Sequence, residues 1–256
     1  MRQAMREAVR EFLEHGVIRP SNSPYNSPSL MVPKRNGGLR LVVDFRRINK
    51  FVIKDRHPLQ RISQIMEALG QAYYLTALDI LDSFYNFEVV EQDRPRTAFS
   101  TPDGHWEFIR LPMGLKNSPS IFQRLMSIVL SGALGHHAFI YIDDILVFSK
   151  DAKTHLQDLQ DIFKRLQTAG LRIKAPKSQL FGTEVEYLGF LAGKDGLKVN
   201  PGKMEAVEKF PIPQKVKDVQ AFLGLVEYFR IFITHFAEHA NPLYELLKKE
   251  QRWTWK

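Results

Sequence analysis

The sequence predicts a protein that combines helices and strands in an α/β or α+β fold. The chain has 256 residues, 44% of them hydrophobic, which is enough to bury a sizeable core in one large domain or in two to three small subdomains. Segments with helical and with strand periodicity both occur along it. It contains no low-complexity run and no repeat at a fixed period, so it has the character of a soluble globular protein.

Apolar spacing and turn residues predict the elements of the first hundred residues. Helices are recognised by apolar residues three and four positions apart with a glycine after them, and the hairpin by two apolar runs around a glycine-rich turn. The predicted elements are a helix over 4–15 before Gly16, a proline-rich turn region, strands at 30–32 and 39–45 around the turn 35–38, a helix from 57 to about 69 before Gly70, and a strand over 73–80.

The same rules predict the elements of the rest of the chain. They are strands at 97–100 and 106–110 around the turn 101–104, a helix from Ser118 through Val129, a hairpin over 139–148, an amphipathic helix over 153–169, short strands up to 199, and helices from about 215 to the end. The predicted apolar face of the helix over 153–169 consists of Leu156, Leu159, Ile162, Phe163 and Leu166. The apolar stripe within 222–229 is interpreted as ordinary core.

A net charge of +8 and local clusters of Lys and Arg favour a partner that carries phosphates, although many basic proteins bind no nucleic acid. The absence of cysteine excludes disulfides, thiolate zinc sites and a cysteine nucleophile, and it fits an intracellular protein. The charged N-terminus lacks the apolar core of a signal peptide, and no apolar run is long enough to predict a membrane span.

Two adjacent carboxylates, Asp143 and Asp144, interrupt the apolar run 139–148. Apolar residues on both sides predict two buried strands, and carboxylates beside a core are costly unless cations or water compensate them. The competing interpretation is a plain hairpin turn with Asp at its tip. Asp-Asp without glycine suits a two-residue turn poorly, because the favoured type needs positive φ at both residues. Both interpretations stay open on the residues alone.

A third carboxylate, Asp79, ends the apolar run 75–80. Three carboxylates could hold two Mg²⁺ ions about 3.5–4 Å apart, the arrangement that serves in-line phosphoryl transfer. Oxygen ligands without cysteine or paired histidines suit Mg²⁺, with Mn²⁺ as a substitute. Asp82, three residues further on, is interpreted as a solvated turn acid.

At these residues the sequence resembles reverse transcriptases of the gypsy-like LTR retrotransposon type, which are related to the retroviral enzymes. The central match is Tyr-Ile-Asp-Asp at 141–144, which resembles the metal-binding hairpin of the family. The other matches follow in family order along nearly the whole chain: 16–24 and 32–46 in the fingers, 78–79 at the first metal ligand, 97–99 and 111–123 at the template and nucleotide segment, 187–190 at the primer grip, and 222–230 in the thumb.

The resemblance implies a role for each matching residue. Asp79, Asp143 and Asp144 would be the catalytic residues and the metal ligands. The residues implied to bind the incoming dNTP are Lys34 and Arg40 at its triphosphate, Phe84 as a steric gate against a ribose 2′-hydroxyl, and Gln123, with Asn117, as a positioning group for nucleotide or template. The implied primer grip consists of Tyr187, Leu188 and Gly189. A solvated basic hairpin and an ordinary core aromatic are the structural alternatives for the basic pair and for Phe84.

The implied fold is an α+β right hand whose palm carries an antiparallel sheet packed on helices. Its fingers would comprise 1–54 and 88–117, its palm 55–87 and 118–195 with the primer grip, and its thumb 196–256. The implied reaction is RNA-directed, and also DNA-directed, addition of dNTPs to a primer 3′-hydroxyl with two Mg²⁺ ions. The partners would be dNTPs and a primed RNA or DNA template, with no membrane, in a cytoplasmic particle or replication complex.

The resemblance also sets limits. RNase H and integrase parts are expected in the full pol polyprotein but are absent from these residues, so no RNase H activity is expected. Met113, Leu81 and Lys215 depart from residues that are common in relatives, and Lys215 replaces a residue that would cap a thumb helix.

Two other functions compete with the polymerase. A domesticated element could bind nucleic acid without catalysis, and the departures keep this alternative open although all three acids are present. Another palm-type nucleotidyl enzyme, such as a cyclase, could share the paired acids, but the fingers and thumb motifs speak against it. Product analysis with nucleotides would separate the three.

Overall fold

The computed structural model describes residues 1–34, 37–58, 62–70 and 72–248 of the chain. Its α-helices are α1 (Arg2–Glu14), α2 (Ile62–Leu69), α3 (Ser118–Val129), α4 (Ala152–Thr168), α5 (Pro201–Glu208), α6 (Val216–Val226) and α7 (Phe236–Glu245). Its strands are β1 (Ile18–Pro20), β2 (Ser27–Pro33), β3 (Leu39–Val43), β4 (Tyr74–Asp79), β5 (Phe99–Thr101), β6 (Gly104–Phe108), β7 (Ala138–Tyr141), β8 (Asp144–Ser149), β9 (Gln179–Gly182), β10 (Glu184–Tyr187), β11 (Phe190–Gly193) and β12 (Gly196–Val199). Short 3₁₀ helices lie between them.

These elements agree with the predicted helices and hairpins, with ends shifted by a few residues. The predicted turn residues 35–36, residues 59–61 of the predicted second helix and the terminal residues 249–256 lie outside the described residues. The predicted start of that helix at residue 57 is wrong, because His57 and Pro58 are not helical and α2 is Ile62–Leu69. The α+β fold class is therefore confirmed by the order of elements and by the sheets that they form.

A five-stranded sheet, in the order β1-β6-β5-β2-β3, forms the N-terminal part of the molecule. All its pairs are antiparallel except β2 with β5, where Ser27 pairs with Phe99 in parallel. Helix α1 covers this sheet with Val9 and Phe12. Gly16, at φ +62°, ends the helix in the left-handed conformation that favours glycine.

A four-stranded antiparallel sheet, in the order β7-β8-β4-β9, forms the centre of the molecule. Successive side chains of a strand point to opposite faces, so the apolar run of β8 covers both. Ile145 and Val147 face α3 and α4, and Leu146 and Phe148 face α2 and the sheet of β10, β11 and β12. The palm-like antiparallel sheet backed by helices, which was predicted, is present.

The third sheet, in the order β10-β11-β12, connects the central sheet to the C-terminal helices. Its strands share one core with α2 and with Phe229, while α6 and α7 form a core of their own around Val219 and Leu223. The predicted division between palm and thumb after residue 195 falls in the turn between β11 and β12. Because these strands pair along their whole length, a division after Val199 fits the sheet better.

One predicted buried position is solvent-exposed instead. Leu156 on α4 is 59% exposed. Helix α4 buries a narrower face than the apolar pattern predicts, because it packs on a sheet from one side only. Within the parts of the chain that are described, no helix has both the length and the apolar character needed to cross a membrane.

Candidate active site

The three predicted catalytic aspartates lie at one end of the central sheet. Asp79 is the last residue of β4, Asp144 is the first residue of β8, and the two are direct partners in the antiparallel register. The Asp143 carbonyl accepts a hydrogen bond from the Ile80 N–H at 3.3 Å. Opposed residues on antiparallel strands have Cα atoms about 4.5–5.5 Å apart. The fold therefore places Asp79 beside Asp143 and Asp144, which follow it by 64 and 65 residues in the chain.

The turn of the β7–β8 hairpin consists of Ile142 and Asp143, because Tyr141 and Asp144 are register partners. An Asp therefore lies in the turn of the predicted hairpin, but it is Asp143 alone, since Asp144 begins β8. Ile142 has φ +56°, a left-handed conformation that β-branched residues rarely adopt. Such local strain persists only where surrounding structure enforces it, and it is common at functional sites.

Burial makes this end of the sheet unfavourable for negative charge. It raises the pKa of the Asp144 carboxyl to about 6, and the nearby charges of Asp143 and Asp79 raise this pKa further, while that of Lys177 opposes them. Burial also raises the pKa of Asp143, and the charge of Asp79 adds to this effect. The carboxylates thus lie in surroundings where a bound cation would be strongly favoured.

Lys177 is the cation nearest to these acids and was not predicted as a site residue. Its Nζ lies 3.6 Å from Oδ2 of Asp79, and its side chain is 61% exposed. The 172–178 segment is held beside β4, because the Lys174 N–H donates to the Asp79 carbonyl at 2.8 Å and the Asp79 N–H donates to Ser178 Oγ at 3.2 Å. In the sequence, the only signal for Lys177 was its place in a basic cluster.

The donor set fits hard divalent cations, since all three side chains offer carboxylate oxygens and none offers sulfur or imidazole. As they stand, however, no three acidic or histidine side chains among the described residues are arranged to hold one ion. The backbone supplies the register that brings Asp79 and Asp144 together, and the side chains would still have to turn towards a shared ion. Divalent-metal dependence is a general property of the enzymes that this site resembles.

Gln123 has different partners from the nucleotide contact that was predicted for it. The side chain is 1% exposed on α3, its Nε2 donates to the Ile140 carbonyl at 3.2 Å, and its Oε1 accepts from the Ile142 N–H at 2.8 Å. It bridges the backbone on both sides of Tyr141 and supports the strained turn. Its buried amide, bonded at both ends to the hairpin backbone, supports this turn, and its contact with nucleotide or template stays a prediction.

Phe84 lies on the 3₁₀ helix Ser83–Asn86, directly after Asp82, which has φ +53°. The Phe84 ring is half-buried and packs on Phe122 with ring centroids 5.3 Å apart. One face of Phe84 is thus fixed by the core between α3 and the sheet. This is the contact expected of an ordinary core aromatic. Because the ring is only half-buried, its role as a steric gate stays a proposal.

Lys34 and Arg40, the basic pair of the β2–β3 hairpin, are exposed and form no ion pair with another described residue. Arg40 pairs in register with Val32, and the Lys34 N–H donates to the Gly38 carbonyl at 3.0 Å. Burial raises the pKa of Tyr85 to about 12, and the positive charge of Arg40 opposes this rise. Arg40 therefore lies within electrostatic reach of the residue after Phe84.

Asn117, which was predicted to position template or nucleotide, bonds through its side chain to the backbone of the 53–55 segment. Its Nδ2 donates to the Ile53 carbonyl at 2.8 Å, and its Oδ1 accepts from the Asp55 N–H at 3.0 Å. Arg124 adds an ion pair with Asp55 at 2.6 Å. These bonds fix the segment that joins the five-stranded sheet to α2.

The predicted primer-grip residues form the turn between β10 and β11. Leu188 has φ +50° and Gly189 has φ +74°, the two positive values of a tight hairpin turn. Tyr187 is 2% exposed, so its ring lies beneath the turn, and its hydroxyl donates to the Asp144 carbonyl at 3.4 Å. Leu188 and Gly189 thus form the turn itself, while Tyr187, the last residue of β10, links it to β8.

Comparison with known proteins identifies relatives over almost the whole chain. The family model described as "Reverse transcriptase (RNA-dependent DNA polymerase)" matches residues 32–192. The retrovirus-related Pol polyprotein from transposon opus of Drosophila melanogaster is 43% identical over 253 residues, which are 97% of this chain and 25% of that protein. The polyprotein from transposon gypsy of the same organism is 41% identical over 248 residues, 94% of this chain and 24% of that protein.

Solved structures agree with these relatives. The foamy viral protease-reverse transcriptase in complex with double-stranded DNA superposes with a TM-score of 0.89 at 28% identity, covering 98% of this chain and 45% of that one. The same viral protein in complex with an RNA/DNA hybrid gives a TM-score of 0.87 at 28% identity, covering 99% of this chain and 34% of that one. The chain thus spans about a quarter of the curated relatives and less than half of these solved chains.

Proposed function

Because the chain belongs to the reverse transcriptase (RNA-dependent DNA polymerase) family, we propose that it adds deoxynucleotides from dNTPs to the 3′-hydroxyl of a primer on an RNA or DNA template. The observation that carries this proposal is the register pairing of Asp79 with Asp144, which brings three carboxylates to one end of the central sheet. Enzymes of this family are nucleotidyltransferases, and such chemistry depends mainly on positioning and on neutralising charge.

Asp79, Asp143 and Asp144 would hold two Mg²⁺ ions, or Mn²⁺ in their place. When bound, such ions activate the attacking hydroxyl and neutralise the charge of the triphosphate and of the leaving pyrophosphate. The raised pKa values of Asp143 and Asp144 support this proposal, since buried, crowded carboxylates gain most from a cation. Gln123 and Tyr187 would keep the catalytic strand and its turn in place through their bonds to its backbone.

Lys34 and Arg40 would bind the triphosphate, and Phe84 would exclude the ribose 2′-hydroxyl. The exposure of both cations and their freedom from ion pairs among the described residues support the first role. The half-buried Phe84 ring, held against Phe122, supports the second. The effect of Arg40 on the pKa of Tyr85 supports a shared site for the two roles, since Arg40 acts on the residue after Phe84. Leu188 and Gly189 would contact the primer strand near its end.

The nucleic-acid partner is a primed RNA or DNA template. Solved relatives were captured with double-stranded DNA and with an RNA/DNA hybrid, and the net charge of +8 suits a polyanionic partner. The similarity to transposon Pol polyproteins supports a place within a larger polyprotein in an intracellular particle. The proposed subdomains are fingers at 1–54 and 88–117, palm at 55–87 and 118–199, and thumb from Asn200 onwards.

Primer extension tests the proposed reaction. The protein is incubated with dNTPs and Mg²⁺, then with Mn²⁺, on a primed RNA template and on a primed DNA template. We expect products longer than the primer on both templates, none without a divalent cation, and little product with ribonucleotides. A folded protein that binds the primed template but extends it under neither cation would favour a binding module instead, and cyclic products from free nucleotides would favour a cyclase.

A further inference from the structure

Two side chains from outside the sheet of β10, β11 and β12 lie on the Leu188–Gly189 turn. One is Tyr228, from the 3₁₀ helix Glu227–Phe232 that follows α6, and the other is Lys203, from α5. The Tyr228 hydroxyl donates a hydrogen bond to the Leu188 carbonyl. Nothing in the sequence pattern indicated that the turn would have these partners.

Tyr228 is held by its ring as well as by its hydroxyl. The ring stacks on that of Phe190, the residue directly after the turn, with centroids 4.7 Å apart and planes inclined by 7°. The Nζ of Lys203 lies 5.2 Å from the centroid of the Tyr228 ring, within the range of a cation–π interaction. Tyr228 is nevertheless 41% exposed, so part of its side chain remains open to solvent.

The turn has no space for a side chain under these two groups. A Cβ added at Gly189 would lie 2.7 Å from the Tyr228 hydroxyl and would also collide with the end of Lys203. Gly189 therefore suits its φ of +74°, and a larger residue there would also have to displace the ends of Tyr228 and Lys203.

The helix that carries Tyr228 is anchored on both sides. Phe229 is 4% exposed in the core beneath the sheet, and Phe232 packs on Phe190 with centroids 5.4 Å apart. At its N-terminal end the same segment continues directly from α6, whose Val226 belongs to the core with α7. A displacement of α6 and α7 would thus be transmitted to the turn through Tyr228.

We propose that Tyr228 is a positioning residue that fixes the Leu188 carbonyl and couples the C-terminal helices to the placement of the primer end. This proposal rests on the proposed polymerase function. Tyr228 acts through the turn and does not itself touch the reacting atoms. Loss of the hydroxyl would free the turn while leaving the stacked ring in place.

The test compares Tyr228→Phe and Tyr228→Leu with the wild type and with Tyr73→Phe. Tyr73 is a matched control, because it is 49% exposed and its ring contacts that of Tyr74 with centroids 5.0 Å apart, before β4 and at the end of the central sheet opposite the aspartates. Two quantities are measured on a primed DNA template that carries 2-aminopurine at the primer end. They are the fluorescence of the bound complex and the single-turnover rate of adding one dNTP at several dNTP concentrations. Thermal unfolding of each variant is recorded in parallel.

We expect Tyr228→Phe to lower the maximal rate about three- to tenfold, the effect of one neutral hydrogen bond, without changing the dNTP concentration at half-maximal rate. Its primer-end fluorescence should be higher, because a primer end that is less well held stacks less. Tyr228→Leu should lower the rate further, and Tyr73→Phe should match the wild type. Equal rates and fluorescence for Tyr228→Phe and wild type, or equal losses in Tyr73→Phe, would overturn the inference.

The two proposals fail separately in this experiment. If the wild type adds no nucleotide, the proposed function fails, and the primer-end fluorescence still decides whether Tyr228 places the primer. If the wild type is active and Tyr228→Phe is indistinguishable from it, only the role of Tyr228 is lost. A lower unfolding temperature in Tyr228→Phe that accounts for the whole loss of rate would also contradict a positioning role.

Discussion

Asp144 lies on the central strand of its sheet, where burial first and then the charges of Asp143 and Asp79 raise its pKa to about 6. An unfolded Asp has a pKa of about 4. The folded protein therefore binds more protons at this site between about pH 4 and 6, and the free energy of unfolding falls as pH rises through that window. Below pH 4 the carboxyl is protonated in both states, so it no longer lowers the free energy of unfolding.

The first prediction follows from this fall in the free energy of unfolding as pH rises. In the absence of divalent cations, Asp144→Asn should unfold at a higher temperature than the wild type above about pH 6, because it removes a buried charge. The difference should shrink as pH is lowered to 4. Thermal unfolding with a chelator, from pH 4 to 8, measures it. A variant that is less stable than the wild type at pH 7.5 would show that the Asp144 carboxylate is already compensated by the protein.

The second prediction concerns Gln123, whose amide holds the strained turn. Gln123→Ala leaves the Ile142 N–H and the Ile140 carbonyl without this partner, so we expect it to cost about 1–3 kcal/mol of stability and to slow nucleotide addition. Gln167→Ala, at an exposed position on α4, is the matched control and should unfold like the wild type. Urea unfolding measures the difference, and equal midpoints for the two variants would contradict the bridging role.

The sequence allowed the three aspartates to be identified because carboxylates interrupt apolar strands there, and the motif resemblance agreed. The burial of Gln123 and the approach of Lys177 to Asp79 could not be predicted in this way. Both depend on contacts between segments far apart in the chain, α3 with the hairpin and 172–178 with β4. Periodicity describes one element at a time and is silent about such contacts.

At the scale of elements, α6 begins without a side-chain cap. Lys215 occupies the N-cap position with φ −155° and ψ 164°, and its side chain accepts no hydrogen bond from the helix. The Asp218 carboxylate instead accepts from the Gln214 N–H at 3.0 Å. The first turn of α6 thus has an acid that suits the positive end of the helix but lacks the usual hydroxyl or carboxylate at its start.

The third prediction is that Lys215→Thr stabilises the protein by about 0.5–2 kcal/mol, because a threonine hydroxyl can accept from the free N–H groups of the first turn. Lys217→Thr removes the same charge two residues later, inside the helix, and serves as the control. It should leave stability unchanged or slightly lower, since threonine is a weaker helix former than lysine. If both variants stabilise equally, removal of charge is the cause and the capping argument fails.

The sequence predicts the elements that have a strong local pattern, but it does not predict which distant strands pair with each other. The β7–β8 hairpin and α3 follow from apolar runs and turn residues. The parallel pairing of Ser27 with Phe99 joins strands about seventy residues apart and leaves no local signal. The exposure of Leu156 has a similar origin, because the width of the buried face of α4 is set by the sheet beneath it.

At the scale of the whole molecule, the net charge of +8 governs the binding of nucleic acid. Counterion release makes the affinity of a basic protein for a phosphate backbone fall steeply with salt. The fourth prediction is that the affinity for a primed template falls at least about tenfold between 50 and 200 mM salt, with little dependence on sequence. Fluorescence anisotropy measures it, and an affinity independent of salt would contradict backbone recognition.

The central claim is that the carboxylates at the end of β4 and β8 carry out nucleotide addition. Its most direct test is the single-turnover addition of one dNTP to a primed RNA template by wild type, Asp144→Asn and Asp195→Asn. Asp195, in the turn between β11 and β12, is 58% exposed and pairs with Lys198, so it is a matched acid outside the site. We expect addition by wild type and Asp195→Asn, and none above background by folded Asp144→Asn that still binds the template. Comparable addition by Asp144→Asn would contradict the account.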